Sequence, residues 1–211
     1  MGGLIRRRRA AATAAVAAVG IAGGVLLVSG LTGGGLPAAA PRLQEEPQPV
    51  LPPEGATLPT PSSDVHVAVD ALDLELPVLP LTPRGGAINP PTLTAAYWIR
   101  PYGEPVGAVE QADNTLYLAA HSTDTGKYGF DPLMESDGGG STLVAGDVVE
   151  VSTPSGTVSY TVERTERYAK GELPEATEVW EAVPGRLVLI TCYQRGGGRA
   201  STENLVVFAR A

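Results

Sequence analysis

Four consecutive arginines at positions 6–9 stand directly before residues 10–31, a run of 22 residues with neither a charge nor a proline. As a helix rising ~1.5 Å per residue, this run reaches roughly 33 Å, enough to cross a bilayer hydrocarbon core of ~30 Å. It is predicted to span a membrane. Basic residues flanking such a helix stay on the cytoplasmic side, so residues 1–9 read as a cytoplasmic tail and the rest of the chain is expected outside. A cleaved signal peptide is the competing reading, because Ala38, Ala39 and Ala40 offer the small residues a signal peptidase accepts. Signal-peptide apolar cores run only ~7–15 residues, and the length of this one favours a retained anchor.

Residues 32–63 hold eight prolines, a run of three glycines at 33–35 and almost no periodic apolar pattern. Fixed φ and missing N–H groups forbid helix and discourage sheet, so this stretch is predicted to be an extended stalk. Residues 64–211 remain, 148 in all, a size that supports one domain with its own core.

Composition removes several functions for that domain. With one cysteine and two histidines among 211 residues, the chain has no intramolecular disulfide and no Cys/His set for a structural zinc ion. Beyond the four arginines, eleven basic residues face 23 acidic ones, a balance of −12 that repels phosphate backbones and argues against nucleic acid as a partner.

Within residues 64–211, short β-prone runs alternate with Gly, Pro, Asn and Asp. Strands are predicted at 65–69, 74–78, 115–119, 147–152, 157–164, 187–192 and 205–209. The pair VVEVS and TVSYTVE flanks Thr153-Pro-Ser-Gly156, a hairpin signal because Pro and Gly preset the turn dihedrals. Only 131–135 and 175–182 read as short helices. The expected class is all-β, a mostly antiparallel sheet closed into a barrel or folded as a sandwich.

Reactive side chains are few. Cys192 ends the apolar run Leu187-Val-Leu-Ile-Thr191 and precedes a polar, glycine-rich loop. A buried inert thiol is the ordinary role of a cysteine outside a disulfide, but a lone cysteine outside the membrane is exposed to oxidation and marks a candidate nucleophile. His121 likewise ends a β-prone run, Leu116-Tyr-Leu-Ala-Ala-His121, whereas His66 reads as an ordinary strand or surface position. A thiol and an imidazole at two strand ends form the minimal acyl-transfer pair, nucleophile and proton donor. Arg195 and Arg199 lie between Cys192 and the last predicted strand, where a returning loop would bring one of them toward the thiol. A positive charge there favours thiolate and stabilises a tetrahedral intermediate. The aromatic segment 93–104, with Tyr97, Trp98 and Tyr102, reads either as core or as the wall of a substrate groove.

These landmarks, in this order, resemble the sortases, membrane-anchored cysteine transpeptidases of Gram-positive surfaces, and among them the actinobacterial class E and class F groups. Tyr117-Leu-Ala-Ala-His-Ser122 is similar to the family's apolar strand ending in Gly-His, and Leu189-Ile-Thr-Cys192 to its hydrophobic-Thr-Cys motif. Ala145-Gly-Asp-Val-Val-Glu-Val151 and Glu203-Asn-Leu-Val-Val-Phe-Ala209 resemble two further strands. The resemblance covers residues 65–210 and departs at Ala120, where the family has Gly, and at Ser201, Thr202 and Glu203, none of which is basic.

The resemblance implies a closed barrel of about eight strands, with Cys192 as nucleophile, His121 as general acid and base, and Arg199, or alternatively Arg195, as the cationic group. It implies cleavage of an LPxTG-type sorting signal between Thr and Gly through a thioacyl intermediate, resolved by an amine of a cell-wall precursor or pilin. No metal or organic cofactor is called for. The implied partners are sorting-signal-bearing surface proteins and the membrane. Two other classes are kept beside it. An L,D-transpeptidase would carry Ser-x-Gly-Cys where this chain has Ile-Thr-Cys-Tyr, and an inactive sortase-like binding domain would be expected to lose Cys192 or His121.

Overall fold

The computed structural model describes residues 50–136, 139–194, 196 and 200–211. The predicted anchor at 10–31, the tail before it and most of the stalk lie outside these residues. Among the described residues, no helix is long and apolar enough to cross a membrane.

The strands are β1 (His66–Val69), β2 (Leu74–Leu81), β3 (Ala96–Ile99), β4 (Leu116–Ala119), β5 (Val148–Thr153), β6 (Gly156–Ala169), β7 (Arg186–Tyr193) and β8 (Glu203–Arg210). They close into a barrel in the order β1-β2-β3-β4-β7-β8-β6-β5. Of the two all-β arrangements left open by the sequence, the barrel is the one formed. The sheet is mostly antiparallel, with two parallel pairs, β2 with β3 and β4 with β7.

The β5–β6 hairpin turns where the Pro-Ser-Gly signal stands, with Thr153 opposite Gly156 and the glycine at φ +146°. Along β5 and β6, residues alternate between barrel interior and solvent: Val149, Val151, Val158, Tyr160 and Val162 are buried. A register shift between Val162 and Arg164 carries β6 well past its expected end at 164. After the shift, Arg164, Glu166 and Tyr168 stand opposite Phe208, Val206 and Asn204 of β8.

Strands β4, β7 and β8 are covered on both sides. Leu116, Leu118, Leu187, Leu189, Leu205 and Val207 join the main core cluster, while Tyr117, Ala119, Val188, Ile190, Val206 and Phe208 belong to a second one. The second cluster includes Leu173, from a 3-10 turn at Leu173–Glu175, and Val179, from α1 (Thr177–Trp180). Arg186 fastens α1 in place: its guanidinium donates to the carbonyls of Glu178 and Val179, both at 3.0 Å, and its Nε to Thr115 Oγ1 at 3.0 Å. This two-sided burial explains why β7 and β8 read as unbroken apolar runs.

Three expectations need correction. The helix expected at 131–135 is a 3-10 turn at Asp131–Leu133, and that expected at 175–182 is the turn just named followed by the four-residue α1. Strand β3 had no counterpart in the predicted set. Its Tyr97 and Trp98 are buried and belong to the core, while half-buried Tyr102 packs edge-on against Tyr117, ring centroids 4.8 Å apart, and lines a cavity away from Cys192 and His121.

Candidate active site

The apolar runs that end in His121 and Cys192 are neighbouring parallel strands. In β4 and β7, Ala119 stands beside Ile190, and continuing that register by two positions sets His121 beside Cys192. Side chains alternate across a sheet, so both residues fall on the face that carries Ala119 and Ile190, outside the barrel interior. A cavity opens there, lined by His121 and Cys192 together with Ile88, Pro90, Lys170 and Asn204.

The strand ends are clasped by side chains rather than by a continued backbone ladder alone. Thr191 Oγ1 donates to the Ala120 carbonyl at 2.9 Å, Ser122 Oγ to the Cys192 carbonyl, and Gln194 Nε2 to the Ser122 carbonyl at 2.9 Å. Thr191, Ser122 and Gln194 are all buried. These bonds fix the two strand ends at the point where the reactive side chains leave them.

The imidazole of His121 is held from a third segment. Its Nε2 lies 2.7 Å from the Pro90 carbonyl. A carbonyl only accepts, so Nε2 carries the hydrogen and Nδ1 is left as the ring's proton acceptor. Burial pushes the histidine's pKa below its ordinary value of 6.5, and the bond to Pro90 opposes that shift in part.

The loop after His121 is organised by a buried carboxylate. Asp131 accepts from Thr123 Oγ1 at 2.6 Å and from the backbone N–H groups of Thr123, Lys127 and Tyr128, the latter two at 2.9 and 3.0 Å. Phe130 N–H donates to the His121 carbonyl at 2.9 Å. Gly129 makes this approach possible, because it sits at φ +50° and a Cβ there would land on the His121 carbonyl oxygen.

On the other side of the thiol runs β8. Cys192 is paired with Asn204, and Asn204 with Tyr168 of β6. Asn204 is buried; its Nδ2 donates to the Thr191 carbonyl at 3.2 Å, while its Oδ1 has no hydrogen-bond partner among the described residues.

Of the residues singled out from sequence, Cys192 and His121 are thus brought to one cavity. Arg195 and Arg199 lie outside the described residues. His66 is placed elsewhere, half-exposed on β1 with Nδ1 3.4 Å from Glu75 Oε1. Asn204, Lys170 and Pro90 were not singled out. Only the pairing of β8 with β7, and of β6 with β8, places the first two near Cys192, and local sequence carries no sign of it. Among the described residues, no group of three His, Cys, Asp or Glu side chains is arranged to hold a metal ion.

A family model described as Sortase domain matches residues 67–211. A search of the curated proteins gave no match. Among solved structures, sortase C-1 of Actinomyces oris is similar at TM-score 0.52 and 23% identity, covering 69% of this chain and 70% of that one. Sortase A of Listeria monocytogenes is similar at TM-score 0.51 and 20% identity, covering 70% and 86% respectively. Sortase A of Corynebacterium diphtheriae is similar at TM-score 0.51 and 19% identity, covering 71% and 60%.

Proposed function

The chain belongs to the sortase family of cysteine transpeptidases, and on that premise we propose that it cuts an LPxTG-type sorting signal between Thr and Gly and passes the acyl product to an amine of a cell-wall precursor or pilin. Cys192 is the nucleophile, the chain's sole cysteine. The observation that carries this reading is the meeting of Cys192 and His121 in one cavity at the ends of adjacent parallel strands.

In the first step the Cys192 thiolate adds to the threonine carbonyl carbon, and the carbonyl π pair moves to oxygen. His121, in its protonated form, delivers a proton from Nδ1 to the glycine nitrogen as the C–N bond breaks, leaving a thioester on Cys192. The bond from Nε2 to Pro90 suits this role, since it holds the ring while leaving Nδ1 as the nitrogen that exchanges the proton. In the second step neutral His121 takes a proton from the incoming amine, which attacks the thioester and releases Cys192. Arg199, or alternatively Arg195, supplies a positive charge that favours the thiolate.

Residues 10–31 anchor the enzyme in the membrane, with residues 1–9 inside and the Pro-rich stretch at 32–63 carrying the catalytic domain outside. Their order in the sequence supports this placement: basic tail, uncharged run, stalk, domain.

The test is a library of sorting-signal peptides incubated with the purified chain and analysed by intact mass. An acyl adduct on Cys192, absent from Cys192→Ala and turned over by added amine, is the expected result. No adduct with any peptide between about pH 6 and 9 would overturn the sorting-signal reading.

A further inference from the structure

Cys192 lies between two neighbours that differ in chemistry. On the β4 side stands His121; on the β8 side stands Asn204, and beyond it β6. The last β6–β8 pair, Ala169 with Glu203, is followed by a bond from Lys170 N–H to the Thr202 carbonyl at 3.0 Å. Lys170 therefore sits one pair beyond Ala169 and shares the outer face with Tyr168 and Asn204. Two strand spacings, ~10 Å, and two residues along the strand, ~7 Å, separate its backbone from that of Cys192. The long stem of a lysine crosses about half of that gap. Lys170 lines the same cavity as Cys192, His121 and Asn204.

Asn204, on the same outer face, carries an acceptor that an ammonium would satisfy. The Thr191 carbonyl accepts from Nδ2, which fixes the amide's orientation, because the flipped form would set two oxygens against each other. Oδ1 is then a buried acceptor without a partner among the described residues, a costly state unless a donor comes to it. Lys170 makes no ion pair among the described residues and carries three donors, enough to meet Oδ1 and still face the cavity.

We propose that Lys170 is a further catalytic group of this site: seated on Asn204 Oδ1, its ammonium stands across Cys192 from His121 and stabilises the oxyanion formed when the thiolate attacks. This rests on Cys192 being the nucleophile, as proposed above. As the S–C bond forms and the carbonyl π pair moves to oxygen, an N–H of Lys170 donates to that oxygen. As the carbonyl re-forms, the C–N bond breaks and His121 protonates the departing nitrogen, while Lys170 keeps its proton throughout. The ammonium thus acts where charge develops, which is where a fixed donor has most effect on rate.

The experiment compares two reactions of Cys192 in the full chain. Acylation by p-nitrophenyl acetate, followed as a nitrophenolate burst, passes through an oxyanion; alkylation by iodoacetamide does not. Lys170→Met is expected to slow acylation at least about tenfold with alkylation within twofold of wild type, and Lys170→Arg to recover most of the acylation rate. Asn204→Leu, checked for folding by circular dichroism, is expected to slow acylation in the wild-type background and to add little to Lys170→Met. Wild-type acylation by Lys170→Met would overturn the proposal. So would an equal slowing of alkylation, since the charge would then act only on the thiolate population. Should the ester results come out as expected while no sorting-signal peptide is cleaved, the role of Lys170 stands and the substrate reading falls.

Discussion

The ring of His121 is tied through Nε2 to the Pro90 carbonyl at 2.7 Å, a bond that joins a strand-end residue to a segment 31 positions earlier in the chain. It decides the tautomer, and with it which nitrogen serves the chemistry beside Cys192. Burial and this bond pull the ring's proton affinity in opposite directions, and burial prevails.

His121 is therefore expected to titrate below 6.5. Nitrogen-detected NMR, with His66→Gln to leave one imidazole, should show hydrogen on Nε2 in the neutral form and a midpoint under that value. A group whose folded pKa is depressed adds stability at pH above its unfolded value. That stability declines as pH falls from about 6.5 toward the folded pKa, because the unfolded chain takes the proton first. Urea midpoints measured across this window should fall with acidification, and fall less in His121→Gln. A midpoint at or above 6.5 would contradict the burial account.

The clasp between β4 and β7 should be measurable at Thr191. Thr191→Val keeps the shape but removes the donor to the Ala120 carbonyl, leaving a buried acceptor. A loss of about 1–3 kcal/mol is expected in denaturant unfolding, together with slower acylation, because the same bond sets the distance between the two strand ends. Unchanged stability would mean that water replaces the hydroxyl.

The loop behind His121 depends on two residues of different kinds. Gly129→Ala places a methyl group against the His121 carbonyl oxygen at a positive φ, and Asp131→Asn exchanges an acceptor of several N–H and O–H groups for a mixed donor and acceptor. Both should lower the melting temperature and the acylation rate together, with alkylation of Cys192 by iodoacetamide persisting. Acylation at the wild-type rate in a destabilised Asp131→Asn protein would separate this loop from the site.

For the arginines, Arg199→Ala is expected to lower the rate of adduct formation by about 10²-fold or more, and Arg195→Ala to leave it nearly unchanged. The reverse pattern would move the role to Arg195. Single-turnover mass spectrometry with a cleaved peptide distinguishes the two.

How much of this was legible in advance differs by element. The β5–β6 hairpin was plain, because one face of each strand meets the core and the turn carries Pro and Gly. Strand β3 was not, since all four of its residues are buried and no alternation survives. The extension of β6 through 165–169 was hidden by its charges. Those residues pair with β8 only because the shift after Val162 turns Arg164 onto the outer face, where its guanidinium lies 3.7 Å from the centre of the Phe208 ring.

The site divides in the same way. Cys192 and His121 stood out by themselves, because a reactive side chain ending an apolar run is a local pattern that a reader of the chain can find. Their meeting, the seating of His121 on Pro90, and the presence of Asn204 and Lys170 at the thiol are contacts between segments 12 to 71 positions apart. Composition and local pattern determine which groups exist and where the chain bends or extends. Which groups face one another is decided by strand order and register, and those follow from closing the barrel so that the apolar faces of all eight strands are buried at once.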